Sequence, residues 1–124
     1  MGGGNIRKGK IGEELAEKLL KKQGYLVLEK NFRTRTGEID IICKENDTIV
    51  FVEVKTRQDL NFGLPEEAVD FRKMAKIKKV ANIYISRLST IHPNKNYDFR
   101  FDVVSVILDS KENLKSIKLL NNAF

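Results

Sequence analysis

Between Ile11 and Gln23 the apolar residues Ile11, Leu15, Ala16, Leu19 and Leu20 recur at helical spacing, and Gly24 supplies a stop, so the chain opens with a helix. The pattern then changes period. "YLVLEKNFR" (25–33) reads as a strand, "TRTG" breaks it, and residues 38–44 and 49–57 form two further strands joined by the turn "KENDT". So short a turn makes the second and third strands an antiparallel hairpin. "QDLNFGLPEE" is a loop with Pro65 placed for the first turn of a helix. From Glu66 onward Phe71, Met74, Ile77, Val80, Ala81, Tyr84, Ile85 and Leu88 mark a long amphipathic helix. After the loop "HPNKN", residues 98–108 are a strand and 114–120 a last one. Helix, three strands, helix, then one or two strands predicts an α/β fold, a central mixed β-sheet flanked by α-helices.

Charges interrupt two of these strands. Glu53 and Lys55 project from one face of "IVFVEVKTR" and Val52 and Val54 from the other, while Glu38 and Asp40 share a face opposite Ile39 and Ile41. Pairing the strands sets Asp40 beside Glu53 with Lys55 close by. An E-x-K pair on a strand is ordinarily a solvated ion pair of little consequence. Here the flanking run is apolar on both faces, as in a strand covered on both sides, where unpaired charge is expensive. Two adjacent carboxylates call for a cation between them. A hard divalent ion meets that need: Mg²⁺ takes oxygen ligands, keeps several waters and is commonly held by one or two carboxylates together with a substrate phosphate. It lowers the pKa of a water and stabilises charge on phosphorus oxygens, and Lys55 is placed to orient that water or neutralise the transition state.

The 124 residues fit one domain spanning 1–124, with the glycine-rich residues 1–9 as a flexible leader. A hydrophobic share of 41% and a charged share of 32% are ordinary for a globular chain, and no apolar run reaches membrane-spanning length, so a cytoplasmic location is the default expectation. One cysteine, Cys43, and one histidine, His92, exclude an internal disulfide and a Cys/His zinc site. The net charge of +6 suits a polyanionic partner where the basic residues cluster. Two clusters stand out: Arg33, Arg35 and Arg57 beside the charged strands, and Arg72, Lys73, Lys76, Lys78 and Lys79 along the second helix. Both suit phosphate contacts, which position a nucleic acid without reading its sequence. Phe51, Phe71, Tyr84 and Phe101 fall on apolar faces and are expected in the core, as is Cys43 on the Ile39 and Ile41 face. Asp102 is expected to be structural.

Asp40, twelve residues, then Glu53-Val54-Lys55 resembles the PD-(D/E)XK signature of restriction-endonuclease-like nucleases, with Ile39 at the place of the proline. A fuller set is more specific: "GEELA" (12–16), "NFRTRTGEIDII" (31–42), "VFVEVKTR" (50–57), "FG" before "EEAV" (62–69), "RFDVV" (100–104) and "NNAF" (121–124). Together these resemble the YraN-like family of small bacterial proteins, predicted endonucleases distantly similar to archaeal Holliday junction resolvases. The resemblance implies a restriction-endonuclease-like fold and a Mg²⁺-dependent nuclease, with Mn²⁺ able to substitute, acting on DNA, with RNA as the other substrate to test. It makes Asp40 and Glu53 metal ligands and Lys55 the catalytic lysine. Glu13 matches the resolvases' helical glutamate and completes the site through metal or water; Glu14 points about 100° away. Glu38 is either an extra ligand or the holder of Arg33 or Arg57. With no separate recognition element, branched DNA is the natural substrate, and cutting it symmetrically requires two sites, hence a homodimer.

Overall fold

The computed structural model describes residues 2–59 and 71–124, with side chains from Arg7 onward. Helix α1 (Gly2–Lys22) leads into strands β1 (Leu26–Arg33), β2 (Glu38–Glu45) and β3 (Thr48–Gln58). Helix α2 (Phe71–Ile91) and strands β4 (Asp98–Leu108) and β5 (Leu114–Leu120) follow. The expected loop after Gln58, the helix start at Pro65 and the "FG" and "EEAV" motifs lie outside the described residues. The five strands lie side by side in chain order, antiparallel except for β3 and β4, which run parallel. A parallel neighbour needs a long crossover, and α2 lies on that connection. This is an α/β architecture consistent with the restriction-endonuclease-like fold.

The sheet is buried on both sides, which is why β3 reads as a continuous apolar run. On one face Ala16 and Leu20 of α1 pack with Tyr25, Ile41, Cys43, Val50, Val52, Val104, Val106 and Leu108. On the other, Ile77, Val80 and Ala81 of α2 pack with Ile39, Ile42, Ile49 and Phe51, and Tyr84 and Phe101 flank them.

Three expectations need correction. The leader is not a separate segment: α1 starts at Gly2. Glycine disfavours helix, but contacts hold the next turn, where Arg7 pairs with Glu112 at 3.2 Å and Lys8 donates to Gln58 Oε1 at 3.3 Å. Ile39 does not share the face of Ile41 and Cys43; with Phe32, its partner on β1, it packs on the α2 side. Asn31, just before Phe32, has φ 53°. One left-handed residue, a conformation asparagine tolerates, breaks the side-chain alternation of a strand. Phe71 is not core but 87% exposed. It precedes Ile77, the first buried residue of α2, by six positions, about 9 Å along the axis, beyond the covered part of the sheet.

The "RFDVV" and "NNAF" motifs form one clasp. Fully buried Asp102 accepts from Arg100 Nε at 3.0 Å and from the Asn122 N–H at 2.9 Å. The Ala123 N–H donates to Phe101 O at 2.8 Å, and the Phe124 and Phe101 rings lie 5.3 Å apart. Asp102 is thus structural, as expected.

Candidate active site

The β2 to β3 ladder runs from Glu45 and Thr48 only as far as Ile41 and Val52. Asp40 and Glu53 are the next residues on each strand. There the strands part, while β2 stays paired with β1 to Glu38 and β3 with β4 to Gln58. The opening frees a β3 backbone donor that a neighbouring strand would otherwise satisfy. Asp40 takes it: the Val54 N–H donates to Asp40 Oδ2 at 2.7 Å. The carboxyl is thereby pinned at the mouth of the opening.

Glu53 is only 5% exposed, on the α2 face with Phe51. Lys55, two residues on, shares that face, its Nζ 3.6 Å from Glu53 Oε1. A cleft of about 220 Å³ opens over Asp40 and Glu53, lined also by Gly37, Glu38, Lys73, Lys76 and Ile77. Burial, then the neighbouring Glu53 charge, push Asp40 up to about 7. Burial, then the neighbouring Lys73 ammonium, push Lys55 below the ordinary lysine range. These opposite shifts are what converging charges in a partly dry cleft produce.

Glu13 stands on α1, on the opposite face of the sheet from α2, and lines a separate hollow with Lys10, Glu14, Glu17, Lys30 and Asn31, within charge range of Glu53. It is half-buried and its carboxyl is raised by burial and then by the charges of Glu38 and Glu53, whereas Glu14 is exposed. What brings α1 so near is Gly12. A Cβ there would stand 1.8 Å from Thr56 Oγ1 and 2.9 Å from Thr56 Cβ. Gly12→Ala should therefore push α1 off β3, lowering stability by about 1–3 kcal/mol in urea denaturation. An unchanged midpoint would mean that helix and strand do not meet so closely.

Among the described residues no three His, Cys, Asp or Glu side chains form a metal-holding group. The carboxylates that face each other are a pair, Asp40 and Glu53, and Glu13 interacts with Glu53 through its charge. Two carboxylate oxygens on rigid strands, with room for water in the cleft, suit a hard ion of the Mg²⁺ kind. Glu38 lines the cleft but is engaged by Arg33 Nε, so of its two expected roles the arginine-holding one is present.

Of the basic residues, Arg33, Arg35, Arg72, Lys76, Lys78 and Lys79 are exposed and Arg57 is half-buried. Lys73 differs from its neighbours. Its Nζ lies 2.7 Å from Glu53 Oε1, inside the site rather than on the outer basic face. Sequence reading missed this, though a signal exists: Lys73, Ile77, Val80 and Tyr84 follow the 4, 3, 4 spacing of one helix face. Tyr84 and Phe101 pack with Phe51, and His92 lies just past α2, away from the carboxylates.

No helix of the described residues is long and apolar enough to cross a membrane. Residues 12–106 match the model of the family described as Uncharacterised protein family UPF0102. A UPF0102 protein of Caldicellulosiruptor bescii is 52% identical over 117 residues, covering 94% of this chain and 95% of the relative. One from Clostridium botulinum strain 657 is 52% identical over 116 residues, covering 94% and 92%. A third, from Caldicellulosiruptor saccharolyticus, is 48% identical over 116 residues, covering 94% and 95%. With both the family model and relatives matched along most of its length, this chain belongs to the UPF0102 (YraN) family.

Proposed function

We propose that this protein is a metal-dependent nuclease that hydrolyses phosphodiester bonds of DNA. The observation that carries the reading is the opening between β2 and β3, where Asp40 and Glu53 face each other with Lys55 beside them. A structural ion pair does not need a second carboxylate pinned at its side; a cation site does. Asp40 and Glu53 would hold Mg²⁺, or Mn²⁺ in its place. Such an ion, when bound, supplies Lewis-acid stabilisation of phosphate charge and a more acidic water.

The chain's own groups do the rest. Lys55, on a rigid strand and mostly buried, holds an ammonium where charge builds on the scissile phosphate or where the attacking water must be oriented. Glu13 accepts a hydrogen bond from that water. Arg33, Arg35, Arg57, Arg72 and Lys76 contact the backbone of the nucleic acid, a sequence-independent attraction that weakens with salt. A backbone-reading surface of this sort suits branched DNA, cut symmetrically by a dimer.

The test is cleavage of linear, nicked, flapped and four-way branched DNA, with RNA alongside, in Mg²⁺ or Mn²⁺, against Glu53→Ala and Lys55→Ala prepared identically. Cleavage lost in both variants supports the reading. No cleavage, or cleavage surviving equally in both, overturns it; salt-dependent binding without cleavage would then leave a non-catalytic nucleic-acid-binding module.

A further inference from the structure

Lys73 sits on the oxygen of Glu53 that also faces Lys55, at 2.7 Å against 3.6 Å. Counted with full charges, Asp40, Glu53, Lys55 and Lys73 sum to zero. A divalent ion added to that set leaves two surplus positive charges in a cleft where screening is weak. Either a cation leaves or an anion arrives. The two lysines are not equally able to move. Lys55 is 15% exposed on a strand paired within the sheet, while the Lys73 side chain is 42% exposed in the first described turn of α2. Its four-carbon stem lets the ammonium relocate without moving the helix. Lys76, one turn further along α2, lines the same cleft and is exposed, so the direction in which Lys73 can withdraw is already basic.

We propose that Lys73 is a second working ammonium of this site, resting on Glu53 until a divalent ion displaces it onto the substrate's phosphate. The inference rests on the nuclease reading and adds to it that ion and phosphate load together, because the group that one evicts is the group that the other needs.

The experiment measures Mn²⁺ binding by calorimetry at pH 8 for the wild type, Lys73→Met and Lys73→Arg. It adds the affinity of each for uncleaved branched DNA in Ca²⁺ and in EDTA. Methionine keeps the stem and its helix propensity, and Lys73→Gln serves equally should the methionine variant not fold. Removing the competing ammonium should tighten Mn²⁺ binding about tenfold, while Lys73→Arg binds as the wild type does. Ca²⁺ should strengthen DNA binding by the wild type and do so less for Lys73→Met. Unchanged or weaker Mn²⁺ affinity in Lys73→Met, or an equal Ca²⁺ gain in both proteins, overturns the role of Lys73 alone. Absence of Mn²⁺ binding from every variant would overturn the metal-dependent reading with it.

Discussion

Asp40→Asn should be inactive and yet more stable than the wild type above neutral pH. The sign follows from the raised carboxyl. Asp40 titrates at about 7 in the folded chain against an ordinary 3.8, so between those values the folded state binds the extra proton and folding loses stability as pH rises. Above pH 7 the charged carboxyl is held at a cost that asparagine avoids, while the asparagine carbonyl can still accept from the Val54 N–H. In EDTA the two proteins should unfold alike near pH 4 and diverge through pH 7. The variant should lead by roughly 2–4 kcal/mol at pH 8. Mg²⁺ should close most of that gap by stabilising only the wild type, about 2.7 kcal/mol at a hundredfold excess over its dissociation constant. Cleavage should fall by at least about a hundredfold, as when one stabilising group is lost from a transition state. Urea titrations at three pH values, with and without Mg²⁺, decide the matter; a variant less stable at pH 8 would mean that burial and the Glu53 charge do not disfavour the Asp40 carboxylate.

The second large effect is expected far from the site. Asp102 is fully buried and accepts from Arg100 through Nε at 3.0 Å and Nη2 at 3.0 Å, while Arg100 Nη2 also donates to Tyr25 Oη at 2.7 Å. Asp102→Ala leaves the part-buried guanidinium, among the described residues, with only Glu45, at 3.5 Å, as a carboxylate partner, and strips the Asn122 N–H of its acceptor. Breaking a buried pair from one side typically costs about 3–5 kcal/mol. Against a total stability of about 5–15 kcal/mol for such a domain, the loss is large enough to be seen as a fall in soluble yield as well as in urea midpoint. A double variant that also replaces Arg100 by methionine should recover part of it, because the stranded charge is gone. A loss below about 1 kcal/mol would reduce the clasp to a surface ion pair.

Much of the fold was legible before any coordinates. The helical spacing from Ile11 and from Phe71 onward, the continuous apolar run of β3 and the turn at "KENDT" each follow from patterns that a few neighbouring residues suffice to express. The pairing of Asp40 with Glu53 was legible for the same reason, since a short antiparallel turn sets register by counting. Helix geometry showed that only one of Glu13 and Glu14 can face the carboxylates, while the choice of Glu13 rested on the resemblance.

Other features depend on partners distant in the chain. Phe71 has an apolar side chain at helical spacing, but whether it is covered depends on how far the sheet extends beneath α2. Phe32 changes face after the left-handed Asn31, with its β2 partner Ile39 on the same side, and asparagine adopts that conformation in only some of its settings. The helical leader is held by Glu112, 105 residues beyond Arg7, and by Gln58, 50 residues beyond Lys8, contacts for which spacing carries no signal.

By itself, then, the sequence determined the elements, their order and the carboxylate pair with its neighbouring lysine, because these are consequences of local backbone geometry and apolar periodicity. Only the tertiary structure decided that the sheet opens between β2 and β3 at that pair, that Gly12 lets α1 lean on Thr56, and that Lys73 leaves the basic face to sit on Glu53. Those outcomes turn on how two helices, far apart in the chain, close over one end of a twisted sheet, where packing and desolvated charge outweigh any local preference.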